Sequence, residues 1–250
     1  MKIGCLMVTE GRAAVAGIGI SSFSCQRLTP KLEAVLLVQD NHSDLTGYGS
    51  VIDRVEHVAE VIYHSVDFPT GPEYISAQID VGCKELFETR GCDMVAFWDD
   101  DDYSPPERLA LTAAGSNLPV CGYTAGWFVN LRTLRGEFVN ASEWGLWGGS
   151  IAFTKAAWQN VPFTGLPCRS YDREFVARCN MIHTFRSEPD GRDLPIAFSH
   201  GKNITTWLKT KGVNMLQNNI FEKLPELVYR EVRLAQRFLI ERRVFPPQPE

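Results

Sequence analysis

Four carboxylates stand side by side, Asp99-Asp100-Asp101-Asp102, directly after the apolar run Met94 to Trp98. This junction restricts the fold more than any other feature of the chain. The apolar run asks to be buried. Four adjacent negative charges repel one another and are not buried without a counter-charge. The chain must therefore carry a buried strand to an edge and release the aspartates there. Hard cations such as Mg²⁺ and Mn²⁺ prefer oxygen ligands and often share them with substrate phosphates. A solvated acidic turn is the plain alternative, but a place at the end of a buried strand favours a ligand crevice. In an extended backbone Asp99 and Asp101 would face one way, Asp100 and Asp102 the other.

The residues upstream alternate strand and helix signals. Lys2 to Val8, Glu33 to Val38 and Val58 to Tyr63 read as strands, and Met94 to Trp98 as a fourth. Small-residue helical stretches lie between them, about Ala13 to Leu28 and Pro72 to Thr89. This rhythm predicts an α/β fold with a mostly parallel, Rossmann-like sheet flanked by helices. Three of the strands stop in polar clusters at their carboxyl ends, where open α/β sheets bind ligands. Thr9, Asp40 and Asp99 should converge on one crevice.

Beyond the aspartates the pattern changes. Ser104-Pro105-Pro106-Glu107 reads as a helix start, with Ser as cap, Pro at the first helical position and Glu three after the cap. Strand-like pieces follow at Gly122 to Leu131, Glu137 to Asn140 and Ser150 to Thr154, then a helix over Asp172 to Cys179. A helical tail covers Glu222 to Val244, with Leu227, Leu234 and Phe238 giving it an apolar side and several arginines a basic one.

With 250 residues, 44% of them hydrophobic, the chain is large enough for one globular domain or two fused halves. A net charge of -5 argues against a dedicated nucleic-acid binder. The longest mild apolar stretch, Ala13 to Ile20, is too short to span a bilayer. No apolar stretch with a cleavage site marks a signal peptide. The seven cysteines are scattered, form no CxxC pair and often sit in apolar runs. They are expected to be reduced and buried, which points to the cytoplasm.

The stretch Phe97 to Leu109, an apolar strand followed by DxDD, a short spacer, Pro and a helix, resembles the signature of glycosyltransferase family 2. Thr9 with Arg12 is similar to the family's opening, and Val38 to Asp44 to its second-strand motif. Trp147-Gly148-Gly149-Ser150 resembles its Gly-rich segment near the reacting sugar. Tyr171 to Phe175 resembles its acidic helix start, and Phe198 to Trp207 a His-Gly-x-Asn-x-x-x-Trp element of bacterial and phage members. Two departures stand out. Tyr171 replaces the usual Glu before the catalytic Asp, and Gln78 and Asp80 stand near the expected Arg-Asn pair.

The resemblance implies an inverting GT-A fold glycosyltransferase. Its catalytic domain would cover residues 1–215, split into a nucleotide-binding half (1–103) and an acceptor half (104–215), with a helical tail over 216–250. A Mn²⁺ or Mg²⁺ ion would be held by Asp101, Asp99 and His200. A UDP-sugar donor would contact Thr9, Gly11, Arg12, Asp40, Gln78, Asp99, Asp100, Gly149 and Lys202. Asp172 would be the general base, with Glu174 as the fallback, and Trp127, Trp144 and Trp147 could stack on sugar faces. The acceptor is open: a glycan, protein, lipid or modified DNA base. The tail helix could pack on the core or form a homodimer contact. Two other readings compete: a nucleotidyltransferase on a similar sheet, and a non-catalytic nucleotide-sugar binding module.

Overall fold

The structure, a computed structural model, describes residues 1–41, 48, 60–69, 71, 74–131, 133, 135–140, 145–167, 170–179, 181–185, 194–199, 213–214 and 224–241. Strand β1 (Lys2–Thr9) is central. It pairs in parallel with β2 (Glu33–Asp40), which pairs in parallel with β3 (Glu60–Ser65), and on its other side with β4 (Met94–Phe97). Strands covered on both faces read as nearly continuous apolar runs, as β1, β2 and β4 do. Alternate residues still divide between two cores. Ile3, Cys5 and Met7 join helix α1 (Ala13–Ser24) through Ala16, Ile20 and Phe23. Leu6, Val35 and Leu37 join helix α2 (Ile75–Lys84) and its π-helical continuation, Glu85–Thr89, through Ile79, Cys83, Leu86 and Phe87.

The register sets the ends of the strands level. Thr9 pairs with Asp40, and Asp40 with Ser65. Leu6 pairs with Phe97, and the Trp98 N–H donates to the Leu6 carbonyl at 2.9 Å. The acidic run thus leaves the sheet beside Thr9, as the sequence implied.

The full sheet has seven strands in the order β10-β6-β9-β4-β1-β2-β3, where β6 is Val120–Tyr123, β9 Ala152–Thr154 and β10 Ile182–Phe185. Four of its six described pairings are parallel, while β9 runs antiparallel between β4 and β6. The sheet therefore crosses the boundary expected near residue 103. A second sheet of five strands, β12-β8-β7-β11-β5, was not legible in the sequence. It contains β5 (Asp102–Tyr103), β7 (Ala125–Asn130), β8 (Arg135–Asn140), β11 (Ile196–Ser199) and β12 (Val213–Asn214). The single strand-like piece expected over Gly122 to Leu131 is broken at Thr124, because its two parts pair in different sheets.

Two helix expectations are corrected. Helix α3 runs from Arg108 to Ala114 with Glu107 at its N-cap and no side-chain cap. Ser104 is drawn away from capping: its N–H donates to Ser22 Oγ at 2.7 Å, and its own hydroxyl accepts from Arg108. Two short helices follow, α4 (Lys155–Asn160) and α5 (Tyr171–Arg178). The tail helix α6 (Glu226–Glu241) buries Val228, Val232 and Ala235, a spacing of four and three, against Val15 and Ile18 of α1. Leu234, read as part of its apolar side, is half exposed instead. Among the described residues no helix is long and apolar enough to cross a membrane. Cys5, Cys83, Cys92, Cys121 and Cys179 are buried free thiols and Cys25 is half-buried. Cys168 lies outside the described residues.

Candidate active site

The acidic run is the joint between the two sheets. It starts two residues after β4, beyond Trp98, and ends as the first residue of β5, with a turn at Asp100-Asp101. A turn does not alternate its side chains as a strand does, so the expected pairing is corrected. Asp100 and Asp101 face Arg12, while Asp99 and Asp102 face Gly149. The backbone of the turn rests on α1 at Gly19. A Cβ there would lie 2.5 Å from the Asp99 carbonyl, which is why a small residue sits mid-helix at this point.

On the first side, Asp100 is saturated. Thr9 Oγ1 donates to its Oδ2 at 2.7 Å, and Arg12 Nη2 meets its Oδ1 at 2.8 Å. Asp101 lies farther from the guanidinium, at 3.9 Å. Burial works against the charge of Arg12, but Asp100, then Asp101 and Asp99, hold it protonated above its ordinary range. Asp40 closes this side. It accepts from the Gly11 N–H at 2.9 Å and from the Tyr63 hydroxyl at 3.0 Å, and it is fully buried. The next residue, Asn41, accepts from the Phe68 N–H at 2.7 Å, which fixes the chain after β3 against the end of β2.

On the other side, the turn Gly148–Ser150 is a spacer one residue thick. A Cβ on Gly149 would lie 2.3 Å from Asp99 Oδ2 and 3.1 Å from Asp102 Oδ2. A Cβ on Gly148 would lie 2.0 Å from Asp172 Oδ2. Only glycine at both positions lets these three carboxylates come this close. The family-like Gly-Gly thus separates the acidic turn from Asp172, 70 residues away in sequence.

This crowding disfavours ionisation. Burial, then the charges of Asp101 and Asp100, push Asp99 up to about 7. Burial, with Asp101 and Asp99, pushes Asp102 well up, although the Phe198 N–H donates to its Oδ1 at 3.2 Å. Burial also raises Asp172, against the backbone N–H groups of Arg173 and of Asp172 itself, which favour the carboxylate at the start of α5. Tyr171 packs edge-on to Phe97 and Phe163. It adds no charge where the related motif carries Glu, and so spares Asp99 and Asp172 a further carboxylate.

Thr9, Asp40 and the acidic run come together as the sequence implied, with Gly11 and Arg12 beside them, and Gly148-Gly149 links Asp99 and Asp102 to Asp172. Glu174 lies two residues beyond Asp172 on α5, a spacing that puts the two on different helix faces. Gln78 is tied to the back of β2: its carbonyl accepts from Gln39 Nε2 at 2.7 Å, one residue before Asp40. Trp147 stacks on Phe128 with centroids 4.6 Å apart, and Trp127 packs edge-on to Phe138. His200, Lys202, Trp144 and Trp207 lie outside the described residues. Among the described residues, no three His, Cys, Asp or Glu side chains form a group that could hold a metal ion. Carboxylate oxygens are the donor type that hard divalent cations take, usually together with phosphates and water.

Sequence reasoning missed Arg108 and Tyr63. Arg108 is fully buried beneath the acidic turn, with its guanidinium carbon 4.6 Å from the Trp98 ring centroid. Its place in an amphipathic helix gave no signal, since arginine is seldom buried.

No protein-family model matches the sequence, and no curated protein matches it significantly. Solved structures do resemble it. The 1–349 fragment of S. aureus TarS in complex with UDP superposes with a TM-score of 0.58 at 14% identity, covering 98% of this chain and 72% of that one. The same fragment in complex with UDP-GlcNAc gives 0.55 at 15% identity, covering 94% and 66%. Against a longer S. aureus TarS structure the score is 0.52 at 14% identity, and this chain spans 81% of itself but only 37% of that chain. At such identities the likeness is one of fold, and the fold it identifies is the GT-A glycosyltransferase fold.

Proposed function

We propose that this protein transfers a sugar from a nucleotide-diphosphate donor, with UDP as the expected nucleotide, to an acceptor hydroxyl with inversion at the anomeric carbon. One observation carries the reading: three carboxylates press on two consecutive glycines of one turn, Asp99 and Asp102 on Gly149 and Asp172 on Gly148. A single displacement needs leaving-group stabilisation and a proton acceptor within one site, and these carboxylates could supply both.

In this reading Asp40, with Tyr63 behind it, meets the nucleobase at the end of β2. Arg12 lies within reach of the donor phosphates. Asp101 and Asp99, together with His200, would hold Mn²⁺ or Mg²⁺, and Lys202 would add a phosphate contact. The bound ion would neutralise the departing diphosphate. Asp172 accepts the proton of the acceptor hydroxyl, and its partial burial makes it a stronger base than a free carboxylate. The UDP and UDP-GlcNAc complexes of TarS support a nucleotide-sugar donor at the level of fold. The buried free thiols are compatible with a reducing, cytoplasmic setting.

The test is a thermal-shift screen of UDP-, GDP- and dTDP-sugars with Mn²⁺, followed by analysis of the released nucleotide. A melting-point rise with one nucleotide class and release of its diphosphate is the expected result. Release of pyrophosphate would instead assign nucleotidyl transfer, and a shift without any turnover or hydrolysis would assign a binding module. Asp101→Ala should abolish the Mn²⁺-dependent part of the shift while leaving the fold intact. An unchanged Mn²⁺ response would remove Asp101 from the metal site.

A further inference from the structure

Arg108 is the least expected residue near the acidic turn. It is 1% exposed, whereas the other described arginines are half-buried or exposed. Nη2 donates to the carbonyl of Phe97 and to that of Gly149, the latter at 2.9 Å. Nη1 donates to Ser104 Oγ at 2.5 Å. The cation lies over the ring of Trp98. Phe97 ends the strand just before the acidic run, Ser104 follows just after β5, and Gly149 faces Asp99 and Asp102 across the site. One guanidinium thus grips the chain before, after and opposite the four aspartates.

We infer that Arg108 is a positioning residue that locks the Gly148-Gly149 turn to both ends of the acidic turn and so sets the spacing between the donor-side carboxylates and Asp172. The consequence for turnover rests on the sugar-transfer reading above, whereas the effect on the turn rests on the contacts alone. The geometry asks for arginine in particular. A planar fork serves two carbonyls and a hydroxyl from one fixed plane, whereas a lysine amine of similar charge reaches one of them at a time. The spacing is sensitive because both glycines are already at closest approach. A shift of the Gly149 carbonyl moves Gly148 with it, and with that the gap to Asp172. An error of about 1 Å in a reacting geometry costs about 100-fold in rate.

The test uses Arg108→Lys and Arg108→Met in the full chain. Arg108→Met is expected to fold, since buried charges are often replaced by apolar residues of similar volume without loss of the fold, and Arg108→Lys keeps the cation while losing the fork. Hydrogen exchange at the amides of residues 149–151 should speed up at least about tenfold while the amides of β1 and β2 keep their protection. Affinity for UDP with Mn²⁺, read by calorimetry, should stay within about threefold, while kcat falls roughly 10- to 100-fold at a nearly constant donor KM.

A lowered melting point with unchanged exchange at the turn and unchanged kcat would reduce Arg108 to a structural residue and overturn the inference. An equal loss in UDP affinity and in kcat would also overturn it, placing the effect within the donor site. If the wild type transfers no sugar from any donor, the sugar-transfer reading falls, and the exchange measurement alone decides whether Arg108 holds the turn. If neither arginine variant folds, Ser104→Ala, which releases Nη1 only, carries the same test. A kcat loss of about 3- to 10-fold at constant UDP affinity supports the lock, and no loss refutes it.

Discussion

Asp172 and Glu174 illustrate what a residue-scale argument can decide. Both are acidic, both begin the same short helix, and sequence alone offers either as a base. The helix separates them, and only Asp172 is held against Gly148 at a distance that excludes any side chain there. Asp172→Asn should therefore lower kcat by about 10²- to 10⁴-fold, the usual worth of a positioned general base, with UDP affinity unchanged. Glu174→Gln should leave kcat within about threefold of wild type, since a carboxylate that takes no proton adds no transition-state stabilisation. Single-turnover kinetics with calorimetric UDP binding check both. Loss of UDP affinity in Asp172→Asn would mark Asp172 as part of the donor pocket. Because burial raises Asp172, kcat should also drop as pH falls through its raised pKa.

Elements hold these residues through a few polar staples. Asp80 on α2 is one of them. Its carboxylate accepts from Trp158 Nε1 at 2.7 Å, from the Phe163 N–H at 3.0 Å, and from both the N–H (2.7 Å) and the hydroxyl of Thr164. It thereby pins the 3₁₀ turn Phe163–Gly165 to α2. Phe163 in turn stacks on Phe175 of α5, with centroids 4.5 Å apart. The chain from Asp80 to the helix that carries Asp172 is continuous. Asp80→Ala leaves several donors without an acceptor, and should cost about 2–3 kcal/mol, or roughly 5–10 °C in melting temperature. Urea unfolding at neutral pH measures it, and a change below about 0.5 kcal/mol would show that water replaces the carboxylate without loss. Asp80 stands near the place where the resembled family pattern carries an Arg-Asn pair. The structure gives Asp80 a scaffold role.

For the whole molecule, the crowded carboxylates tie stability to pH. Asp99 titrates near 7 when folded against an ordinary 3.8, and Asp102 is raised well above the same value. For an acid, a raised pKa means that the folded state holds protons the unfolded chain has released. Stability is then full below about pH 4 as far as these groups are concerned, and it falls as pH rises to about 7 and beyond. The ligand-free protein should melt several degrees higher at pH 6 than at pH 8, and Asp99→Asn should flatten that difference and raise the melting temperature at pH 8. Calorimetric melts at the two pH values decide it, and a melting temperature that climbs with pH would contradict the burial of these groups in a proton-binding form. Such a cost is typical of a site that keeps charge together for a ligand.

Sequence by itself determined the level at which the strands end. Continuous apolar runs had to be buried, and the polar clusters at Thr9, Asp40 and Asp99 had to emerge at one edge, because parallel strands bring their carboxyl ends together. It also marked the Gly-Gly pair and Asp172, though only by likeness to a known pattern. Tertiary structure decided the rest. The four aspartates split as Asp100 with Asp101 and Asp99 with Asp102, because the run turns to pass from one sheet into the other. The apolar stripe of the tail helix fell on Val228, Val232 and Ala235, because α1 offered its surface there. Arg108 became a buried clasp instead of a surface charge, because two carbonyls, a hydroxyl and an indole ring meet at one point. Each of these outcomes depends on contacts between residues far apart in the chain, and local propensity carries no information about which distant groups will meet.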